Sequence, residues 1–158
     1  MPDREQFLRQ SDKLWDALWA KLGALSDEQL ARRGASGSQW SGKDVLAHIA
    51  HWYDHKLEGI RAIDEGREPI SRSDFDEWNA RWFAEDSALI PSQARDRCEA
   101  SHERLRSYLA ALTEAQWAES TRTWPGGVTE HTHQWADLNM GDHYREHLNE
   151  LADAAWPD

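Results

Sequence analysis

Two histidines, His143 and His147, stand four residues apart in the run Gly141-Asp-His-Tyr-Arg-Glu-His-Leu-Asn-Glu-Leu151. On a helix, side chains at i and i+4 lie one above the other, with Cβ atoms about 5–6 Å apart. Two imidazoles so placed can grip one metal ion. A second pair, His51 and His55, has the same spacing. The chain carries 8 His in 158 residues, and independent draws at that frequency give roughly 0.4 such pairs. Spacing alone therefore singles out neither pair. The elements that carry them must decide.

Arg4 to Leu22 reads as a first long helix, with Phe7, Leu8, Leu14, Trp15, Leu18, Trp19 and Leu22 at helical intervals. Ser26-Asp-Glu-Gln29 is a capping box that opens a short helical piece to about Arg33, and Gly34-Ala-Ser-Gly-Ser breaks it. Ser41 is the N-cap candidate of a second long helix, Asp44 stands at N3, and Trp40 is placed to staple onto Val45. That helix runs to about Glu65 and stops at Gly66. A connector from Gly66 to Ser73 contains Pro69, and Asp74 to Phe83 is amphipathic, with Phe75, Trp78 and Trp82 on one side. Pro91 suits the first turn of a third long helix that reaches about Leu112.

Leu22-Gly-Ala-Leu-Ser-Asp-Glu-Gln-Leu30 then finds a weak echo in Leu109-Ala-Ala-Leu-Thr-Glu-Ala-Gln-Trp117, so each half is a long helix, a capped short helix, a Trp-containing loop and a second long helix. Thr123 to Thr132 reads as a loop with at most a short strand-like excursion. The last helix runs from Thr132 or His133 to about Ala155. The pattern predicts an all-α fold: a four-helix bundle with a long crossover between the second and third long helices, as one domain over residues 1–158.

At about 100° per residue, the apolar face of the second long helix centres between Ile49 and Ile60. His48 lies roughly 110° from that centre, His55 a little further round, and His51 almost opposite. On the last helix the face centres on Tyr144, Leu148, Leu151 and Ala155, which leaves His147 roughly 70° and His143 roughly 110° off centre. His48, His143 and His147 therefore sit on the flanks of core-facing stripes. A metal at the mouth of a bundle wants that placement, although a flank histidine also serves well as a surface hydrogen-bonder. His51 is expected in solvent, His55 as a lesser alternative ligand, His102 at the surface or the core edge, and His131 and His133 in the loop or at a pocket rim.

The totals bound the function class. Net charge is −11, with 18 Lys and Arg scattered among 29 Asp and Glu. Phosphate binding needs clustered cations, so no nucleic-acid partner is expected. No run approaches the ~18 apolar residues of a membrane span, so no membrane partner is expected either. The single cysteine, Cys98, rules out an intramolecular disulfide and suits a reducing cytoplasm. It is expected to be a packed core residue. Ten Trp suggest broad packing surfaces or a lined pocket. Trp40, Trp52, Trp124 and Trp135, near the starts of the two histidine-bearing helices, are candidates for that lining. Trp78 and Trp82 suit either the bundle mouth or a homodimer surface.

Three phrases resemble the DinB-like proteins. Trp40-Ser-Gly-Lys-Asp-Val-Leu-Ala-His48-Ile-Ala-His-Trp52 is similar to their Trp-x-x-x-Asp-Val-x-x-His-x-x-x-Trp segment. Asp142-His143-Tyr-Arg-Glu-His147 is similar to their C-terminal His-x-x-x-His segment, and Asp76-Glu-Trp-Asn79 to a phrase in related members. The resemblance implies a four-helix bundle with a long crossover and a divalent metal, often zinc or nickel, on His48, His143 and His147. Relatives in that superfamily include bacillithiol S-transferases, mycothiol-dependent maleylpyruvate isomerases and a colibactin self-protection branch. The implied function is a metal-dependent thiol transferase or hydrolase acting on a small electrophile, with a low-molecular-weight thiol as a further cofactor. The alternative is a non-catalytic protein that sequesters a metal or a small molecule. Asp44, Glu146 and Glu150 are the carboxylates placed to hydrogen-bond the ligating rings.

Overall fold

The computed structural model describes residues 3–34, 40–70, 74–124 and 127–152. Parts of the expected breaker, connector and loop (35–39, 71–73 and 125–126) and the expected end of the last helix at Ala155 lie outside them. The fold is all-α, a four-helix bundle with a long crossover.

Helix α1 (Arg4–Leu22) is followed by the short α2 (Asp27–Ala31), and α3 (Gly42–Asp64) is the second long helix. Each start is fixed by local chemistry. Ser26 and Gln29 form a reciprocal capping box at α2, and Ser41 and Asp44 form one at α3. Trp40 turns its ring toward His48 (4.9 Å between centroids) and Phe83 (6.1 Å). Gly66, at φ +71°, follows the end of α3, a conformation that glycine adopts without a Cβ penalty.

The crossover contains α4 (Phe75–Glu85) and a 3₁₀ turn (Asp86–Ala88), and α5 (Pro91–Ala111) begins at proline as expected. Helix α6 (Glu114–Ala118) repeats the phrase of α2: Thr113 and Gln116 form the same capping box. The internal echo is therefore structural as well as textual.

Two features depart from the sequence reading. The expected loop contains a real hairpin, in which β1 (Thr121–Thr123) pairs antiparallel with β2 (Thr129–His131), Arg122 opposite Glu130. Three-residue strands are too short for alternation to be visible. The last helix is also not continuous: α7 (Thr132–Asp137) passes through a π-helical segment (Leu138–Asp142) into α8 (His143–Ala152). The N–H of His143 donates to Leu138 O, five residues back. Two carbonyls of the segment accept bonds from neighbouring helices. Ser11 of α1 donates to Met140 O at 3.2 Å, and Tyr53 of α3 donates to Asn139 O at 3.1 Å. Buried backbone groups need such partners.

The core runs along the bundle axis through Leu18, Leu22, Leu46, Ile49, Tyr53, Leu105, Leu109, Trp135 and Tyr144, all fully enclosed. Cys98 lies within it, as expected, and burial pushes its thiol far above the ordinary range. Among the described residues, no helix is long and apolar enough to cross a membrane.

Candidate metal centre

Helices α3 and α8 run antiparallel past one another: Tyr53 meets Asn139, and His48, nearer the start of α3, meets His143. This brings three imidazoles to one point. His48 Nε2 lies 3.0 Å from His143 Nε2, which lies 2.9 Å from His147 Nε2. One nitrogen from each ring falls within 4.8 Å of the other two. Among the described residues, this is where three potential ligands converge.

The protonation of the cluster follows from its surroundings. Burial, then the charges of His147 and His51, push His48 down to about 3. Burial, then His147 and His48, hold His143 well below the ordinary histidine range. Both rings are therefore neutral near pH 7. His147 Nδ1 faces Glu150 Oε2 at 2.9 Å. A carboxylate accepts there, so Nδ1 carries the proton and the Nε2 lone pair points into the cluster. His143 Nε2 faces two other ring nitrogens and has at most one proton to offer them. Hydrogen bonding alone therefore leaves lone pairs opposed. A cation at the centre would resolve this, and the donor set of three imidazole nitrogens is one that divalent zinc or nickel accepts. The residues fit the group.

Of the carboxylates proposed as supports, Glu150 fills that role. Asp44 does not: its carboxylate accepts from the Ser41 N–H (2.8 Å) and hydroxyl (2.7 Å) and pairs with Lys43 (2.9 Å). Burial opposes its ionisation, but those bonds outweigh the cost and hold its pKa below the usual value. It caps α3 rather than steering His48, whose Nδ1 is buried with no hydrogen-bond partner among the described residues. Glu146 lines the cavity above the cluster.

That cavity has a volume of about 570 Å³, with the three histidines on its floor. Trp40, Trp52 and Phe75 supply apolar walls. Asn79, from the crossover phrase, accepts a hydrogen bond from Trp52 Nε1 at 3.0 Å and joins the lining. Two of the four Trp proposed for the pocket are thus present. Trp135 is buried in the core, and Trp124 lies against Gly59 of α3. Lys56 was missed by the sequence reading. Its only signal there is position: His48, Trp52 and Lys56 follow one another at four-residue steps on one helix, and all three line the cavity.

The remaining histidines serve other ends. His51 is not in solvent. Its Nε2 bonds Asp86 at 2.6 Å, its Nδ1 accepts from Arg97 at 3.1 Å, and its ring stacks on Trp82 at 4.6 Å. His102 belongs to the core: it bonds the Tyr144 hydroxyl at 2.6 Å and stacks on Trp15 at 3.9 Å. A wheel count on one helix cannot see partners supplied by another. His55 packs edge-on against Trp52 outside the cluster, and His131, the N-cap of α7, stacks on His133 in its first turn, His133 lining a separate cavity.

The sequence profile described as the DinB superfamily matches residues 10–151. The chain belongs to the DinB superfamily. Solved structures share this DinB fold at low identity. An uncharacterised protein from Escherichia coli UTI89 matches with a TM-score of 0.81 at 14% identity, over 96% of this chain and 92% of that one. The colibactin self-resistance protein ClbS, crystallised in complex with a dsDNA, matches at 0.78 and 10% identity, over 96% and 94%. DfsB, described as a sibling lethal factor precursor, matches at 0.78 and 12% identity, over the same shares. No curated protein matches the chain in sequence.

The ClbS complex overturns one expectation. Net charge led us to expect no nucleic-acid partner, yet a protein of this DinB fold is seen bound to duplex DNA. The physical reason is that net charge is summed over the whole surface, whereas contacts to a duplex are local.

Proposed function

We propose that this protein binds one divalent ion, zinc or nickel, through His48, His143 and His147, and activates a nucleophile against a small electrophile held in the cavity above them. The observation that carries the reading is the convergence of three imidazole Nε2 atoms on a pocket floor. Three protein ligands leave a position open, as in catalytic rather than structural zinc sites. Bound there, such an ion lowers the pKa of a water or thiol toward neutrality. The chain's own residues do the rest. Glu150 holds the His147 proton on Nδ1 and so fixes the ligating tautomer. Trp40, Trp52 and Phe75 exclude water and bind the apolar part of the substrate. Trp52 is oriented by Asn79, which ties the wall to the crossover helix. A low-molecular-weight thiol is the nucleophile we favour, with water as the hydrolytic variant.

The likeness to a self-resistance protein seen on DNA supports a second reading, capture of a reactive compound without turnover, on or beside a duplex. One set of measurements separates the two. Native protein should carry about one zinc or nickel per chain, and His48→Ala and His143→Ala should lose it. Unchanged metal content in both variants would refute the site. Turnover of an electrophile panel with added thiols should then depend on the metal. Stoichiometric binding without product, or salt-sensitive binding of a labelled duplex, would favour the second reading.

A further inference from the structure

Among the described residues, Lys56 carries the one ammonium on the cavity wall, and its placement calls for a partner. Its Nζ lies 4.6 Å from the ring centroid of Trp124, against the π face. Trp124 is itself fixed by α3: a Cβ at Gly59 would meet its Cζ3 at 2.7 Å, so the ring occupies the space that the glycine leaves. Lys56 is half-buried, yet among the described residues no carboxylate lies within ion-pair distance of it and no acceptor takes its protons. Other cations on or beside α3 have carboxylate partners: Lys43 pairs with Asp44, Arg104 with Asp54 and Arg122 with Asp64. Burial holds the Lys56 ammonium below its ordinary range, and Glu130 offsets this only in part.

The cavity is also polarised along its length. Because α3 and α8 are antiparallel, Lys56 lies toward Leu138 and Asn139, while Glu146 is level with the histidines and Glu150 lies beyond them. Lys56 is eight residues beyond His48, about 12 Å along the helix axis.

We propose that Lys56 anchors an anionic oxygen group of the substrate, so that the site takes a small bifunctional molecule with an anion at Lys56 and its reacting atom at the histidines. This rests on reading the cavity as the substrate site, but not on a metal being bound. The specificity comes from a half-buried cation that rests on an aromatic face and, among the described residues, has no ion-pair partner. A carboxylate or phosphate gives it what water and protein do not, and a neutral isostere does not.

The test uses naphthalene-2-carboxylate and its neutral isostere naphthalene-2-carboxamide, with 2-naphthyl phosphate to distinguish the two anion types. Binding is measured by calorimetry on the full chain, both as isolated and after chelator treatment. We expect the anion to bind about tenfold more tightly than the amide in both forms. Lys56→Met should abolish the preference while leaving amide affinity unchanged, which also reports an intact pocket. Lys56→Arg should retain it. Three results overturn the proposal: no anion binding to the wild type, equal affinity for anion and amide, or a preference that survives Lys56→Met. A preference that survives that variant but vanishes with chelator assigns the anion to the metal, which sinks the role of Lys56 and leaves the metal reading standing.

Discussion

Removing the Glu150 carboxylate tests the chemistry of the centre without touching a ligand. Glu150 Oε2 accepts a hydrogen bond from His147 Nδ1 at 2.9 Å, a charge-assisted bond that fixes the tautomer and makes Nε2 a better ligand. Loss of such a partner typically costs 10–100-fold in metal affinity, about 1.4–2.7 kcal/mol. The Glu150 side chain is 40% exposed, so water can replace part of the bond, and solvent screening places the expected loss near the lower limit, about tenfold. Glu150→Gln keeps an acceptor but loses the charge, and should fall between Glu150→Ala and the wild type. The assay is competition for zinc against a chelating dye. Asp44→Asn is the control: it removes a carboxylate one turn from His48 but disrupts a helix cap, so affinity should hold while stability drops. If Glu150→Ala binds zinc as tightly as the wild type while His147→Ala does not, the coupling between carboxylate and ring is refuted.

Three other outcomes are expected. Gly59→Ala should displace Trp124 from α3 and cost about 1–3 kcal/mol in chemical denaturation, the range for overpacking a fixed contact. His102→Ala should cost about 2–4 kcal/mol, since it strands the buried Tyr144 hydroxyl and removes the Trp15 stack. His102 also predicts a pH dependence. Burial pushes it from 6.5 to about 4, so between those values the unfolded chain binds the proton that the folded one refuses. Its contribution is complete above pH 6.5 and is lost as pH falls toward 4, about 3 kcal/mol in all. Denaturation midpoints across that window should fall more steeply in the wild type than in His102→Gln, and equal slopes would refute the assignment.

The parts of this molecule that are locally encoded could be read directly. Ser41 with Asp44, Ser26 with Gln29 and Thr113 with Gln116 are short-range devices, and each lies where its spacing put it. The histidine cluster was legible for a related reason: His48, His143 and His147 flank apolar stripes whose period their own helices set. What failed depended on distant partners. His51 was assigned to solvent because its wheel position cannot reveal Asp86 or Arg97 on other elements. The π-helical segment left no mark because the carbonyls of Asn139 and Met140 are satisfied by Tyr53 and Ser11, far away in the chain. Net charge was uninformative about nucleic acid for a different reason: it is a sum over the whole surface, whereas duplex contacts are local.

The π-helical segment has a consequence for how the site could be lost. A turn closed over five residues holds one residue more than the α-turn it replaces. Straightening the segment into an unbroken α-helix with every residue retained would be an economical repair from the helix's own standpoint. It would also turn everything downstream by about 100° relative to Trp135. With the first half of the helix held in the core, His143 and His147 would swing away from His48 with every ligand still present. A site could therefore be silenced by losing the Ser11 and Tyr53 partners that hold the π-turn open, with all three histidines still in the sequence, and counting them would not reveal the loss.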